Sequence, residues 1–219
     1  AIVTGTKDEE VGAVLDGGDT DREIVADSSN AEVTIDSQDG ITGIETEIAH
    51  LDASVTSAGA ISINELDGIE LQNVNTTNGS IDVVAGGQIT ATDVDSSATD
   101  DDSNDISLRS TSAGIEAVSI NAGSSNDVTL TAAGSVTQDG TDDTNDVVSD
   151  ALVIDAVSGV DLDTTVASVD IDNTTSGDVV IDESSSLNIN QVDQDTTSGS
   201  VTITTDGNLT VVAAGGGVS

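Results

Sequence analysis

A short apolar–any–apolar triplet returns along this chain every 20 to 22 residues, and that cadence constrains the fold more than any other feature. Examples are Val33-Thr34-Ile35, Ile61-Ser62-Ile63, Ile81-Asp82-Val83, Ile106-Ser107-Leu108, Val128-Thr129-Leu130, Val179-Val180-Ile181 and Val201-Thr202-Ile203. The middle residue is mostly Ser, Thr, Asp or Asn, so side chains alternate between a buried and a wet face, the period of a strand. Val179 to Val201, Leu187 to Leu209 and Ile106 to Val128 are each 22 residues apart, and Ile61 to Ile81 is 20. A second strand starts about 8 residues after the first, at 81 and 89, 128 and 136, 179 and 187, 201 and 209. Strands of three to five residues cannot hold a core alone. Returning at this period, they mark a solenoid, in which each turn buries its apolar face against its neighbours.

The cadence therefore predicts an all-β parallel β-helix (β-solenoid) with about 20–22 residues per coil and roughly 10 coils in 219 residues. At ~4.8 Å between neighbouring strands the rod is roughly 45–50 Å long. Residues 1–219 read as one domain, with an irregular start over 1–32 and a Gly-rich tail over 213–219. Glycine punctuates the units at Gly59, Gly79, Gly177 and Gly199, where four related corners precede strands, and φ > 0 is the expected reason. The variable segments 75–80, 95–105, 138–146, 173–178 and 193–200 fall in phase, which predicts insertions along one edge. A string of β-sandwiches is the competing architecture, but such domains use longer strands and aromatic cores. This chain has no aromatic residue.

Composition decides whether so polar a chain folds at all. With 42 acidic and 3 basic side chains the formal charge is −39, which on its own points toward disorder. Ile, Val and Leu nevertheless number 19, 27 and 10, above the ~20% level below which charged chains fail to fold. Most are β-branched, which disfavours helix and suits a pleated surface. The absence of Cys excludes a disulfide scaffold, a thiol nucleophile and cysteine-ligated metal. The charge excludes ordinary nucleic-acid binding and attraction to anionic membranes. No apolar run approaches the ~18 residues of a membrane-inserted span, and Ala1-Ile2-Val3-Thr4 does not read as a signal peptide.

The cadence Gly199-Ser200-Val201-Thr202-Ile203-Thr204-Thr205-Asp206-Gly207-Asn208-Leu209-Thr210-Val211 resembles the shaft repeats of filamentous-haemagglutinin-like exoproteins and related bacterial surface adhesins. The segment from Asn126 to Thr137 has the same look, and the resemblance spans residues 33–212. It implies a right-handed parallel β-helix, a place outside the cell or on its surface, and a role in adhesion or matrix. That family's secretion domain carries Asn-Pro motifs, and this chain has no Pro, so the resemblance is to a shaft segment.

Chemistry is sparse in the sequence. A β-helical polysaccharide lyase needs a basic group beside the scissile bond, and only Lys7, Arg22, Arg109 and His50 are on offer. Arg109 is expected to neutralise neighbouring aspartates such as Asp105, and His50 to be structural or exposed. A glycosidase needs two tuned carboxylates, and no aromatic platform exists here to hold a sugar. The chain is therefore expected to be no enzyme. Short carboxylates in turns suit hard cations such as Ca²⁺. The candidate ligands are Asp100, Asp101, Asp102 and Asp105 in one loop, and Asp139, Asp142 and Asp143 in another. Asp16-Gly17-Gly18-Asp19-Thr20-Asp21 is a third oxygen-rich loop. An Asp or Asn also follows many triplets (Asp36, Asn64, Asn121, Asp155, Asp163, Asp172, Asp182, Asn190), so stacking is expected to line carboxylates into ladders.

The expected role is an extracellular structural one: a solenoid shaft, adhesin stalk or matrix filament. Ala1-Ile2-Val3 are apolar and no capping helix or charged cap is visible before Gly215, so either this is a segment of a longer shaft or its ends dock onto neighbouring copies, with head-to-tail self-association the expected partnership. The alternative is a Ca²⁺-dependent module binding carbohydrate, such as cell-surface glycans, through the Asp-rich loops.

Overall fold

The computed structural model describes residues 12–18, 21–26, 31–140, 145–195 and 198–212. They form 21 strands with no helix among them, and every strand pairing is parallel. The chain is a parallel β-solenoid of about eight turns. The repeats read from the sequence are the rungs themselves. Ile61 lies in register with Ile81, Ile106 with Val128, Val179 with Val201, and Leu187 with Leu209.

Each coil has up to three faces. The first carries Ile41, Ile61, Ile81, Ile106, Val128, Leu152, Val169 and Ile189 in one unbroken row. The second stacks Ile69, Ile89, Ile115, Val136, Val160, Val179 and Val201. The third stacks Val74, Val94, Ile120, Val147, Thr164 and Glu183, and continues to Thr205. Nearly all of these branched side chains are fully buried, so the core is a thin column of aliphatic layers. Burial at about 25 cal/mol per Å² of apolar surface is what holds such layers together.

The coil count roughly matches the expectation, although single coils run from 17 residues (Val147 to Thr164) to 27 (Ile120 to Val147). Two expectations need correction. Strands reach 14 residues where the chain turns a corner without leaving the sheet, as in Val160–Asn173. The insertions do not share one edge. Segments 75–80 and 95–105 lie between the third and first faces, 138–146 between the second and third, and 173–178 and 193–200 between the first and second. Any corner can be lengthened, because only the rungs must stay in register.

The corner glycines work differently from expectation as well. Gly177 has φ +85°, but Gly59 and Gly79 do not take positive φ. Their requirement is space. A Cβ on Gly79 would sit 2.1 Å from the Gly59 carbonyl oxygen, and one on Gly59 would sit 2.1 Å from that of Asp39. Consecutive corners stack backbone on backbone there, closer than any side chain allows.

Candidate functional site

The predicted cation loop at 95–105 closes on the protein itself. Asp100, at φ +44°, turns its carboxylate onto the next coil, where it accepts from the Ser125 amide (3.0 Å), the Ser124 hydroxyl (3.0 Å) and Asn126 Nδ2 (3.3 Å). Asp105 accepts from the Asp127 amide at 2.9 Å, and Asp127 in turn from the Ala151 amide at 3.1 Å. Asp178 repeats the device with the Ser200 amide and hydroxyl, which hold its carboxyl below the usual range. These aspartates clip one coil to the next. Asp101 and Asp102 are exposed in the same loop, and Asp139 is exposed at the start of the other. Asp142 and Asp143 lie outside the described residues, as do Lys7 and Asp19.

The carboxylates that do converge are others. Oxygens of Asp16, Glu23 and Glu45 all lie within 4.8 Å of one another. The pairing of Val14–Leu15 with Ile41–Thr42 brings Asp16 alongside Glu45, and that of Ile24 with Thr46 brings up Glu23. The Gly18 amide donates to Asp16 Oδ2 (2.9 Å) and the Glu45 amide to Glu23 Oε2 (2.8 Å). Asp16 Oδ1 and Glu45 Oε2 are shielded from solvent and accept no hydrogen bond. Burial, a hydrogen bond with Glu23 and the charges of Asp16 and Glu23 push the Glu45 carboxyl up. Such a trio can share a proton or hold a hard cation. Sequence spacing pointed to Asp16 but gave no reason to join it to residues 7 and 29 positions away.

Two buried glutamates also escaped the sequence reading. Glu183, fully buried, accepts from Thr164 Oγ1 (2.9 Å), the Val166 amide (2.9 Å), and the amide (2.8 Å) and hydroxyl (2.7 Å) of Ser185. Glu65 does the same with Thr46 Oγ1 (2.6 Å) and the amides of Ile48 and Asp67 (both 3.2 Å at the shorter contact), and burial pushes its carboxyl up. In both, a Thr-any-aliphatic corner is followed 19 residues after its Thr by Glu-any-Asp/Ser. Where the chain bends out of the ladder, the carboxylate takes the freed amides.

Asp146, at 1% exposure, faces Asp163, Asp161 and Asp139; burial and these charges push its carboxyl up to about 7 despite the Asp163 amide donating to it at 2.8 Å. The expected ladders exist. Asp155, Asp172 and Asp193 share one row and Asp163 with Asp182 another, and burial followed by the neighbouring charges pushes Asp172 up.

Among the described residues two basic side chains meet acidic ones. Arg22 pairs with Glu47, and His50 Nδ1 lies 2.8 Å from Glu70 Oε2. Arg109 is exposed between Val84 and Thr131 of adjacent rungs, while Asp105, its expected partner, is bound to the Asp127 amide. A shallow groove of about 230 Å³ runs over Ser135, Thr137, Gly159, Asp161, Asp178 and Val180 on the second face. No family model, no curated protein and no solved structure matches this chain.

Proposed function

We propose that the chain is a non-catalytic structural rod, a section of an extracellular or cell-surface shaft. The observation that supports this most is the unbroken first-face row from Ile41 to Ile189, every member buried and every pairing parallel. Many chemistry-bearing side chains hold the coils together: the aspartates clip coils, the glutamates secure corners, Arg22 pairs with Glu47 and His50 lies against Glu70. An acidic skin keeps such rods apart sideways. The resemblance to adhesin shaft repeats agrees with this use.

The test is mechanical and positional. Placed between two compact marker domains, about eight turns at ~4.8 Å hold the markers a fixed distance of about 40 Å beyond their own radii. Small-angle scattering giving one narrow separation supports the shaft, and a broad, linker-like distribution overturns it. Protease or antibody access to the chain on intact cells tests its place outside.

A further inference from the structure

Asn78-Gly79 is the sole Asn-Gly pair in the 219 residues, and it sits at one of the tightest corners of the coil. Position 79 has to be glycine, since a Cβ there would lie 2.1 Å from the Gly59 carbonyl oxygen. Glycine also leaves its own amide nitrogen unshielded, beside a thermolabile side chain. The ladder holds this corner on one side only. Below it, Ala58 lies in register with Asn78, and the Gly59 amide donates to the Asn78 carbonyl at 2.8 Å. Above it, the ladder is interrupted. Asn75 pairs with Asp95 and Ile81 with Ile106, so residues 76–80 face the long insertion 96–105 rather than a matching strand. Among the described residues the Gly79 amide donates to no carbonyl, and the half-exposed Asn78 carboxamide has no hydrogen-bond partner. Other asparagines near the corners are committed: Asn75, Asn104, Asn121, Asn126 and Asn173 each hold a neighbouring group through their carboxamides.

We infer that Asn78 is a site of spontaneous covalent modification built into this corner. The Gly79 amide nitrogen attacks Asn78 Cγ and forms a C–N bond. The bond from Cγ to the carboxamide nitrogen breaks, and the Gly79 N–H proton leaves with the departing ammonia. Water then opens the cyclic imide at either carbonyl. One product is aspartate; the other is isoaspartate, in which the main chain runs through the former side chain. Both add a carboxylate to a chain of net charge −39. Isoaspartate also adds a main-chain carbon where Gly59 and Gly79 already stack backbone on backbone. The corner lacks room for that carbon, so the Gly59 amide loses its acceptor and this level of the coil loosens irreversibly with age. The inference rests on local geometry and not on the shaft reading.

The test is timed incubation of the folded 219-residue chain at mildly alkaline pH, which favours the attacking amide anion, followed by peptide mass mapping and enzymatic methylation of isoaspartate. Asn78 is expected to convert before every other asparagine, at a rate comparable with that of the same site in urea, and faster as pH rises. Asn78→Gln, whose cyclisation needs a larger ring, is expected to abolish the early conversion while leaving the β circular dichroism unchanged. Hydrogen exchange at the Gly59 amide is expected to speed up in the aged chain and to stay constant in Asn78→Gln. Conversion of Asn78 seen only in urea overturns the inference, because the corner then protects the pair. Conversion spread evenly over the asparagines overturns it as well, and an aged chain with unaltered Gly59 exchange overturns the loosening. Rod dimensions from scattering, taken before incubation, report on the shaft reading separately.

Discussion

The first and last described coils are built differently. At the first coil, Val14, Ile24 and Ala26 lie half-buried over Val33, Ile41 and Ile44, which are sealed, and two-residue strands with charged neighbours offer little template for pairing. At the last described coil the strands are five and three residues long, uncharged, and leave Leu209, Val211 and Val212 at 40% exposure or more. The contrast shows that the same stacking accepts strands of different length and charge from one coil to another.

The comparison breaks most sharply under truncation of the apolar rungs. Ile41→Ala, near the first coil, is expected to cost about 2–5 kcal/mol in denaturant unfolding, because a sealed layer cannot collapse around the cavity. Leu209→Ala is expected to stay within about 0.5 kcal/mol in dilute monomer. Equal costs at the two positions mean that the last coil is covered. Next in size, Glu183→Ala, one rung inside the last described coil, leaves the Val166 and Ser185 amides and the Thr164 hydroxyl without their acceptor. It is expected to cost about 2–4 kcal/mol and to speed amide exchange in Val201–Thr205 before any effect reaches Ile41–Glu47. Simultaneous loss of protection at both ends shows instead that the rod opens as one unit.

A proton placed mid-stack sharpens the comparison, because it acts on neither end. The Asp146 carboxyl is raised from 3.8 to about 7 in the folded chain, so the folded state binds its proton more tightly than the unfolded state does. The resulting stabilisation is complete below about pH 4 and is lost as pH rises through about 7. Asp146→Asn, which keeps an acceptor for the Asp163 amide, removes this dependence. The variant is expected to exceed the parent by about 2–4 kcal/mol at pH 8 and to converge with it near pH 4. Parallel pH profiles count against the buried charge. The smallest effect is that of cations. Neighbouring carboxylates 5 Å apart repel by about 0.8 kcal/mol in water-like surroundings, and divalent ions or salt relieve this. Millimolar Ca²⁺ is expected to raise Tm by about 2–4 °C. It is also expected to slow exchange around Val14–Leu15 and Ile41–Glu47, where Asp16, Glu23 and Glu45 converge, leaving Leu209–Val211 unchanged.

Much of the architecture is legible in the sequence because a parallel rung aligns residues separated by one period. Val179 and Val201 can be matched on paper, and the same arithmetic finds the Asp155 and Asp172 ladder once the coil lengths are known. Coil length is where the reading slips. A corner insertion adds residues without adding a triplet, so period alone does not say which of three corners has grown. The carboxylates suffer from the same ambiguity. Asp100 and Asp105 look like open cation ligands in a run of aspartates, and only the stacking of 95–105 on 121–127 reveals the amides and hydroxyl that occupy them. Glu65 and Glu183 carry a signal, Thr-any-aliphatic with a glutamate 19 residues after the threonine, but it becomes meaningful only when the turn between them is known to be one short coil.

The spread of windings from 17 to 27 residues over unmoved rungs has a further consequence. Support and ornament are independent variables in this molecule. A corner can be enlarged, recharged or exchanged for another without retuning a single aliphatic layer beneath it, so the exterior is free to diverge quickly while the interior barely changes.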